Sequence, residues 1–166
     1  TAARVIFPNV MHSRLSVLIF HRILPEQDPL LPYEITIQQF RTEMEALAKH
    51  FTILPLQEGL QRLHDDTLPP FSLCLTFDDG YRDNYTFALP VLRDLDVKAT
   101  FFIASGYLDS GIMWNDALLE IVRRWPDDEI DLSDWGIPKY PVQSLESRRN
   151  TWQYLFKWMR RVGYRG

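Results

Sequence analysis

Residues 73–81 read LCLTFDDGY, an apolar run that stops at two adjacent aspartates and a glycine. Such a run is typical of a buried β-strand followed by a turn, because glycine adopts backbone conformations that larger residues avoid. Alternate side chains of a strand point to opposite faces of the sheet. We therefore expect Asp78 and Asp79 to lie together at the carboxyl end of a strand.

Outward from this strand, the sequence alternates between strand and helix patterns. Residues 15–21, LSVLIFH, form a nearly continuous apolar run, which predicts a strand covered on both faces. Residues 36–50 predict a helix that begins with a Thr36–Gln39 capping box. The other predicted elements are a strand at 52–55, helices at 56–64 and up to residue 95, and a buried strand at 98–103. Strands separated by helices indicate an α/β fold with parallel pairing.

The pattern changes after Gly106. Residues 115–125 and 145–162 predict two helices, the segment between them reads as irregular, and no strand pattern follows residue 103. The last helix has a wide apolar arc, with Tyr154 and Trp158 outside its main stripe. Excess apolar surface of this kind indicates a contact with further protein. That protein is either a missing part of the fold or a second subunit, so we expect the isolated chain to self-associate.

Composition excludes several classes of partner and site. The 166 residues include 46% hydrophobic and 24% charged side chains, as in globular proteins. The net charge of -4 leaves no basic footprint for nucleic acid, and no run of about 18 apolar residues predicts a membrane span. Cys74, the single cysteine, is expected to be a small buried hydrophobe rather than a nucleophile.

Two adjacent carboxylates are chemically informative at this position. Ligands of parallel α/β folds bind at the carboxyl ends of the strands. Asp78 and Asp79 would repel each other there unless a cation holds one of them while the other accepts protons. The alternative is that both are turn residues that cap the next helix. His21 ends the first strand at the same edge, where it either lines a site or bonds to loop backbone.

A longer set of strings extends this motif. LTFDDGYRDNY at 75–85, ALPVL at 88–92 and KATFFIASGYL at 98–108 follow LSVLIFHRI at 15–23. Together they resemble the polysaccharide deacetylase family, the NodB-homology carbohydrate esterases, whose first motif is Thr-Phe-Asp-Asp-Gly. The resemblance covers residues 14–116 and implies a distorted (β/α)7 barrel.

The fold expected from this resemblance is only a part of such a barrel. Residues 1–110 are expected to form the amino-terminal part of a deacetylase barrel, and residues 111–166 a helical extension of the same domain. A complete α/β barrel usually needs ~200 residues or more. The predicted fold is therefore the parallel-strand portion of a distorted (β/α)7 barrel, incomplete, with a helical extension at the carboxyl end.

The resemblance also implies a chemistry, the metal-dependent hydrolysis of N-acetyl groups on an amino-sugar polysaccharide. Asp78 would be the general base, Asp79 a ligand of a divalent metal, usually zinc, and His21 would line the mouth of the active site. An N-acetylated polysaccharide is the partner that this activity implies. Members of the family often act on envelope or exported polysaccharides of bacteria, which leaves the compartment, cytoplasm or cell envelope, open.

The sequence departs from the family in its histidines. The family completes its metal site with a His-x-x-x-His pair, but His12, His21, His50 and His64 include no such pair. We therefore expect an incomplete zinc site and a chain that is the amino-terminal part of a deacetylase, inactive by itself.

Two other readings compete with the deacetylase. The first is a non-catalytic binding or assembly module built on a half barrel of this kind. The second is a phosphoryl-transfer enzyme of the haloacid-dehalogenase type, which is disfavoured because those enzymes separate their two aspartates by one residue, whereas Asp78 and Asp79 are adjacent.

Overall fold

The computed structural model describes residues 14–109 and 111–162. These residues form two compact units. The first unit contains residues 14–26 and Glu34–Ile103, and the second contains Gln27–Tyr33 together with the described residues from 104 onward. Each unit has its own hydrophobic core.

The first unit is an α/β structure with a parallel sheet. Its strands are β1 (Ser16–Phe20), β2 (Ile23–Leu24), β3 (Ile35–Thr36), β4 (Thr52–Ile53), β5 (Ser72–Phe77) and β6 (Thr100–Phe101). Its helices are α1 (Ile37–His50), α2 (Leu56–His64) and α3 (Leu89–Asp94), and a π-helical turn at Asn84–Ala88 leads into α3. β5 pairs in parallel with β1, β4 and β6, and β2 pairs in parallel with β3. The predicted parallel pairing is therefore confirmed.

Local sequence signals account for the first two helices. The Thr36 backbone N–H donates to Gln39 Oε1 at 2.9 Å, and the Gln39 N–H donates to Thr36 Oγ1 at 3.4 Å, so the predicted capping box is present. This box satisfies two backbone donors that the first turn of a helix leaves unpaired. The bounds of α2 also agree with the prediction of a helix over 56–64.

The two faces of β5 are buried by different elements. Leu73, Leu75 and Phe77 belong to the core that α1 and α3 supply. Cys74 points to the other face, where a β-carbon added to Gly59 of α2 would lie 2.7 Å from its Sγ. Cys74 is fully buried, and this burial, with a smaller contribution from the Glu58 carboxylate, raises the pKa of its thiol. The prediction that Cys74 is a small buried hydrophobe is confirmed.

The expectation of a strand covered on both faces is wrong for β1. Val17, Leu18 and Ile19 are all exposed, with 59% of the Ile19 surface accessible. β1 is the end strand of its sheet, so its outer edge has no strand partner within residues 14–109 and 111–162.

The predicted strand over 98–103 is also shorter than expected. Only Thr100 and Phe101 pair with β5, and both are half-buried. β4 pairs with Ser72 and Leu73 of β5, and β6 pairs with Thr76 and Phe77, so both short strands lie on the edge of β5 opposite β1.

The second unit is mainly helical, as predicted, but it also contains a short β-ladder. Its helices are α4 (Trp114–Arg124) and α5 (Leu145–Val162), and the Arg148 guanidinium donates to the carbonyls of Val122, Arg123 and Trp125 at the end of α4. β7 (Glu129–Ile130) pairs antiparallel with β8 (Tyr140–Pro141). The prediction of no strand after residue 103 is therefore wrong, because two-residue strands carry no alternating pattern to detect. No helix in the described ranges is long and apolar enough for a membrane span.

Candidate active site

Parallel pairing brings the three predicted site residues to one edge of the sheet. Phe20 and Phe77 are partners in the register of β1 and β5, so His21 and Asp78 follow paired residues. The Asp78 backbone N–H donates to the Phe20 carbonyl at 2.8 Å, which extends the ladder to the first aspartate. His21 is exposed, whereas both aspartates are half-buried. The chemical roles assigned to these three residues remain predictions.

The chain turns sharply directly after Asp78. Asp79 and Gly80 both have positive φ, 72° and 74°. Aspartate is among the few non-glycine residues that adopt this left-handed region at low cost. Asp79 therefore lies in a turn, whereas Asp78 continues the line of the strand. The two adjacent carboxylates thus have different surroundings.

We expect Gly80→Ala to lower the free energy of unfolding by about 2 kcal/mol, since alanine is strained at this φ. In addition, its β-carbon would lie 2.8 Å from Ile103 Cδ1. Urea unfolding measures the loss. Gly136→Ala is the matched control, because Gly136 also has positive φ, 71°, but has nothing within 4 Å of an added β-carbon. Equal losses in both variants would show that the contact with Ile103 contributes nothing.

A polar network that sequence reasoning missed lies directly behind this edge. The Asp83 carboxylate is buried and accepts hydrogen bonds from Arg22 Nε at 3.0 Å and from the Ile23 N–H at 3.3 Å. When the Asn84 side-chain amide is oriented with its nitrogen toward these acceptors, that nitrogen donates hydrogen bonds to Asp83 Oδ1 and to the His21 carbonyl, both at 3.0 Å. Asp83 and Asn84 belong to the string RDNY that follows the aspartate turn, but nothing local in that string indicates burial.

Within the described residues, no group of three or more His, Cys, Asp or Glu side chains could hold a metal ion. His50 is the last residue of α1 and precedes the start of β4, so it lies toward the amino end of the strands, away from Asp79. His64 is the last residue of α2, and His12 lies outside the described residues. Asp79 can therefore contribute one ligand to a metal, but these residues do not complete a site.

Comparison with known proteins identifies relatives for part of the chain. The sequence profile of the family described as "Polysaccharide deacetylase" matches residues 65–151. The Bacillus subtilis protein with the name "Putative polysaccharide deacetylase YxkH" is 31% identical over 93 residues, which are 55% of this chain and 32% of that protein. The poly-beta-1,6-N-acetyl-D-glucosamine N-deacetylase of Staphylococcus epidermidis is 25% identical over 122 residues, which are 73% of this chain and 42% of that enzyme. The chain thus spans less than half the length of these curated relatives.

Two solved structures have a similar fold and place it within larger proteins. IcaB from Ammonifex degensii aligns with a TM-score of 0.52 and 28% identity, covering 66% of this chain and 48% of that one. The Streptococcus pyogenes deacetylase PplD, solved in complex with acetate, aligns with a TM-score of 0.55 and 21% identity, covering 68% of this chain and 54% of that one. With the profile match over residues 65–151, these findings show that the chain belongs to the polysaccharide deacetylase family.

Proposed function

We propose that this protein contributes to the removal of N-acetyl groups from an amino-sugar polysaccharide. The observation that carries the proposal is the Asp78–Asp79–Gly80 turn at the carboxyl end of a parallel strand, beside His21, in a chain of the polysaccharide deacetylase family. A Staphylococcus epidermidis relative is named as a deacetylase of poly-β-1,6-N-acetyl-D-glucosamine. An N-acetylated hexosamine polymer is therefore the substrate class that we propose.

Asp78 is the residue that we assign as general base. Hydrolysis of an acetamide needs a water molecule that loses a proton as its oxygen attacks the acetyl carbonyl carbon. The C–N bond then breaks, the nitrogen leaves as the amine after gaining a proton, and acetate is released. The ladder hydrogen bond from the Asp78 N–H to Phe20 holds this residue at the sheet edge, where its carboxylate can accept the proton from water.

Asp79 is the residue that we assign as a ligand of a divalent metal, with zinc the expected ion from the family resemblance. A bound zinc ion would polarise the acetyl carbonyl and favour ionisation of water. Catalytic zinc sites use three protein ligands, however, and the described residues offer no such group. We therefore propose that the remaining ligands come from protein outside these residues, and that the chain as given is an inactive part of a catalytic domain.

His21 is proposed to line the mouth of the same site. It is exposed at the end of β1, and it follows the residue that pairs with Phe77. Phe102 and Ile103, which follow β6 at the same edge, are also exposed. Apolar side chains at a site mouth can contact the C–H faces of a sugar ring, so this edge has the mixed polar and apolar character of a ligand site.

We also propose that the chain self-associates. The exposed side chains of Val17, Leu18 and Ile19 lie on a strand whose outer edge has no partner among the residues that the structure describes. An unpaired apolar strand of this kind is a site at which another strand can add.

A non-catalytic binding or assembly module is the second candidate function. The observation that favours it is the absence of a metal-ligand group within residues 14–109 and 111–162. Such a module would bind N-acetylated polysaccharide through the same edge but would never release acetate, even when joined to the rest of its gene product.

Acetate release from N-acetylglucosamine oligomers distinguishes these proposals. We expect the purified 166-residue chain to release none above background and to bind zinc weakly, because one carboxylate does not make a zinc site. The protein as its gene encodes it, with any sequence beyond these residues, should release acetate in a metal-dependent way. Strong release by the 166-residue chain would contradict the incomplete site, and none by the encoded protein would favour the binding module.

A further inference from the structure

We propose that Asp83 and Asn84 are positioning residues that, together with Arg22, hold the His21 segment against the aspartate turn. This inference rests on the proposed function for the importance of that placement, but the contacts that carry it are independent of the chemistry. Arg22, Asp83 and Asn84 are called the positioning network below.

The positioning network joins two loops that are distant in sequence. Arg22 and Asp83 are 61 residues apart, and their side chains meet at 3.0 Å. Asp83 also accepts from the Ile23 N–H, and Asn84 donates to the His21 carbonyl. Three consecutive residues after β1 are thereby bonded to two consecutive residues that follow the Asp79–Gly80 turn.

Burying the polar groups of this network costs desolvation free energy, so stability alone does not explain why they are buried. The side chain of Asp83 is 9% exposed and that of Asn84 is buried, so both polar groups have lost most of their water. A buried ion pair is often no more stabilising than apolar residues of the same volume. What the network provides is a fixed geometry, because the Asp83 carboxylate has donors from a guanidinium, a backbone N–H and the Asn84 amide.

The backbone on the second loop supports the same role. Asn84 begins the π-helical turn at Asn84–Ala88, and wide turns of this type occur frequently at functional sites. The Asn84 N–H donates to the Tyr81 carbonyl at 3.0 Å, and the Arg22 guanidinium lies over the Tyr81 ring, 4.7 Å from its centroid. The chain between Gly80 and Asn84 is thus bonded to itself as well as to the His21 segment.

The consequence is a defined separation between His21 and the two aspartates. The sheet holds Phe20 against Phe77, but neither His21 nor Asp79 belongs to a strand. Beyond the sheet, the two segments are joined by the hydrogen bonds of the positioning network and by the contact of the Arg22 guanidinium with the Tyr81 ring. Loss of the Asp83 carboxylate should therefore release the His21 segment while leaving the fold of the sheet intact.

The test uses the 166-residue chain, an Asp83→Asn variant and two NMR readouts. The first is hydrogen exchange of the Ile23 amide, expected to be about tenfold faster in the variant while the Leu75 amide is unchanged. The second uses Mn²⁺ alone as a paramagnetic probe that prefers oxygen ligands. In the parent chain Mn²⁺ should broaden the Gly80 amide and the His21 imidazole but not the imidazoles of His50 and His64.

In Asp83→Asn, the Gly80 amide should still broaden while the His21 imidazole broadens less, a difference that a general loss of stability would not produce. Asp94→Asn is the matched control, since Asp94 forms an exposed ion pair with Arg41 in the same unit and should behave as the parent. If Asp83→Asn does not fold, the same two readouts on Arg22→Lys test the positioning role. Lysine keeps the positive charge at position 22 but lacks the guanidinium Nε that donates to Asp83.

Unchanged Ile23 exchange together with unchanged His21 broadening overturns the positioning role. A parent chain in which Mn²⁺ broadens neither Gly80 nor His21 counts against Asp79 as a metal ligand, hence against the proposed function. In that case the Ile23 exchange rate by itself supports or overturns the positioning network.

Discussion

Asp78→Asn is expected to lower kcat for acetate release by roughly 10² to 10⁴, the usual contribution of a positioned general base. The experiment uses the protein as its gene encodes it, because residues 14–109 and 111–162 contain no group of three or more His, Cys, Asp or Glu side chains that could hold a metal ion. Asparagine has nearly the same shape as aspartate but cannot accept the proton from water. Metal affinity should therefore remain unchanged, and calorimetric zinc titration alongside initial rates measures both quantities.

Asp79→Asn is the matched variant for this prediction. It should lower zinc affinity, and part of the activity should return at high zinc, since mass action opposes the loss of a ligand but does not replace a base. Asparagine also tolerates the positive φ of 72° at this position, so the turn should persist. Equal losses of zinc binding in both variants would mean that both aspartates are ligands, and that the base is another group.

Phe77→Ala is expected to lower the free energy of unfolding by about 3 to 5 kcal/mol, as for other fully buried aromatic residues. The Phe77 ring is stacked with Phe20 and Phe101, at centroid distances of 5.3 and 4.8 Å, and meets Phe40 edge-on at 5.8 Å. Alanine would leave a cavity among three rings that cannot collapse without moving β1, β6 and α1. Urea unfolding of the 166-residue chain measures the loss.

Two control variants accompany the Phe77→Ala prediction. Phe77→Leu keeps most of the buried volume and should cost only about 1 to 2 kcal/mol. Leu60→Ala removes a side chain that is half exposed on α2, and should change stability by less than about 1 kcal/mol. A loss below about 1 kcal/mol for Phe77→Ala would contradict the central place of this ring in the core.

Sequence reasoning succeeded where short-range interactions decide the structure. The capping box of Thr36 and Gln39 involves residues three apart, and the bounds of α2 and α5 follow from helical periodicity. The end of β5 at Phe77 also agrees with the Asp-Asp-Gly signal. These features depend on bonds within one turn of chain, so the order of the amino acids is sufficient to predict them.

Sequence reasoning failed where the burial or pairing of an element depends on the elements that pack against it. The apolar run of β1 predicts burial on both faces, but a strand is covered only by what packs on it, and Ile19 is exposed here. β7 and β8 are too short for any period, and each forms only because the other lies beside it. The residues of a short strand therefore do not indicate which strand it pairs with, whereas the residues of a turn or a helix cap do indicate that turn or cap.

The same distinction between local and long-range interactions applies to the candidate site. The sequence by itself determined that two carboxylates follow a buried strand, because a strand that ends in Asp-Asp-Gly places them there whatever surrounds it. Only the tertiary structure decided that Asp83, 61 residues after Arg22, is buried against it and tied to the backbone beside His21. The physical reason is that a hydrogen bond between distant segments exists only once the sheet has brought both loops to the same edge.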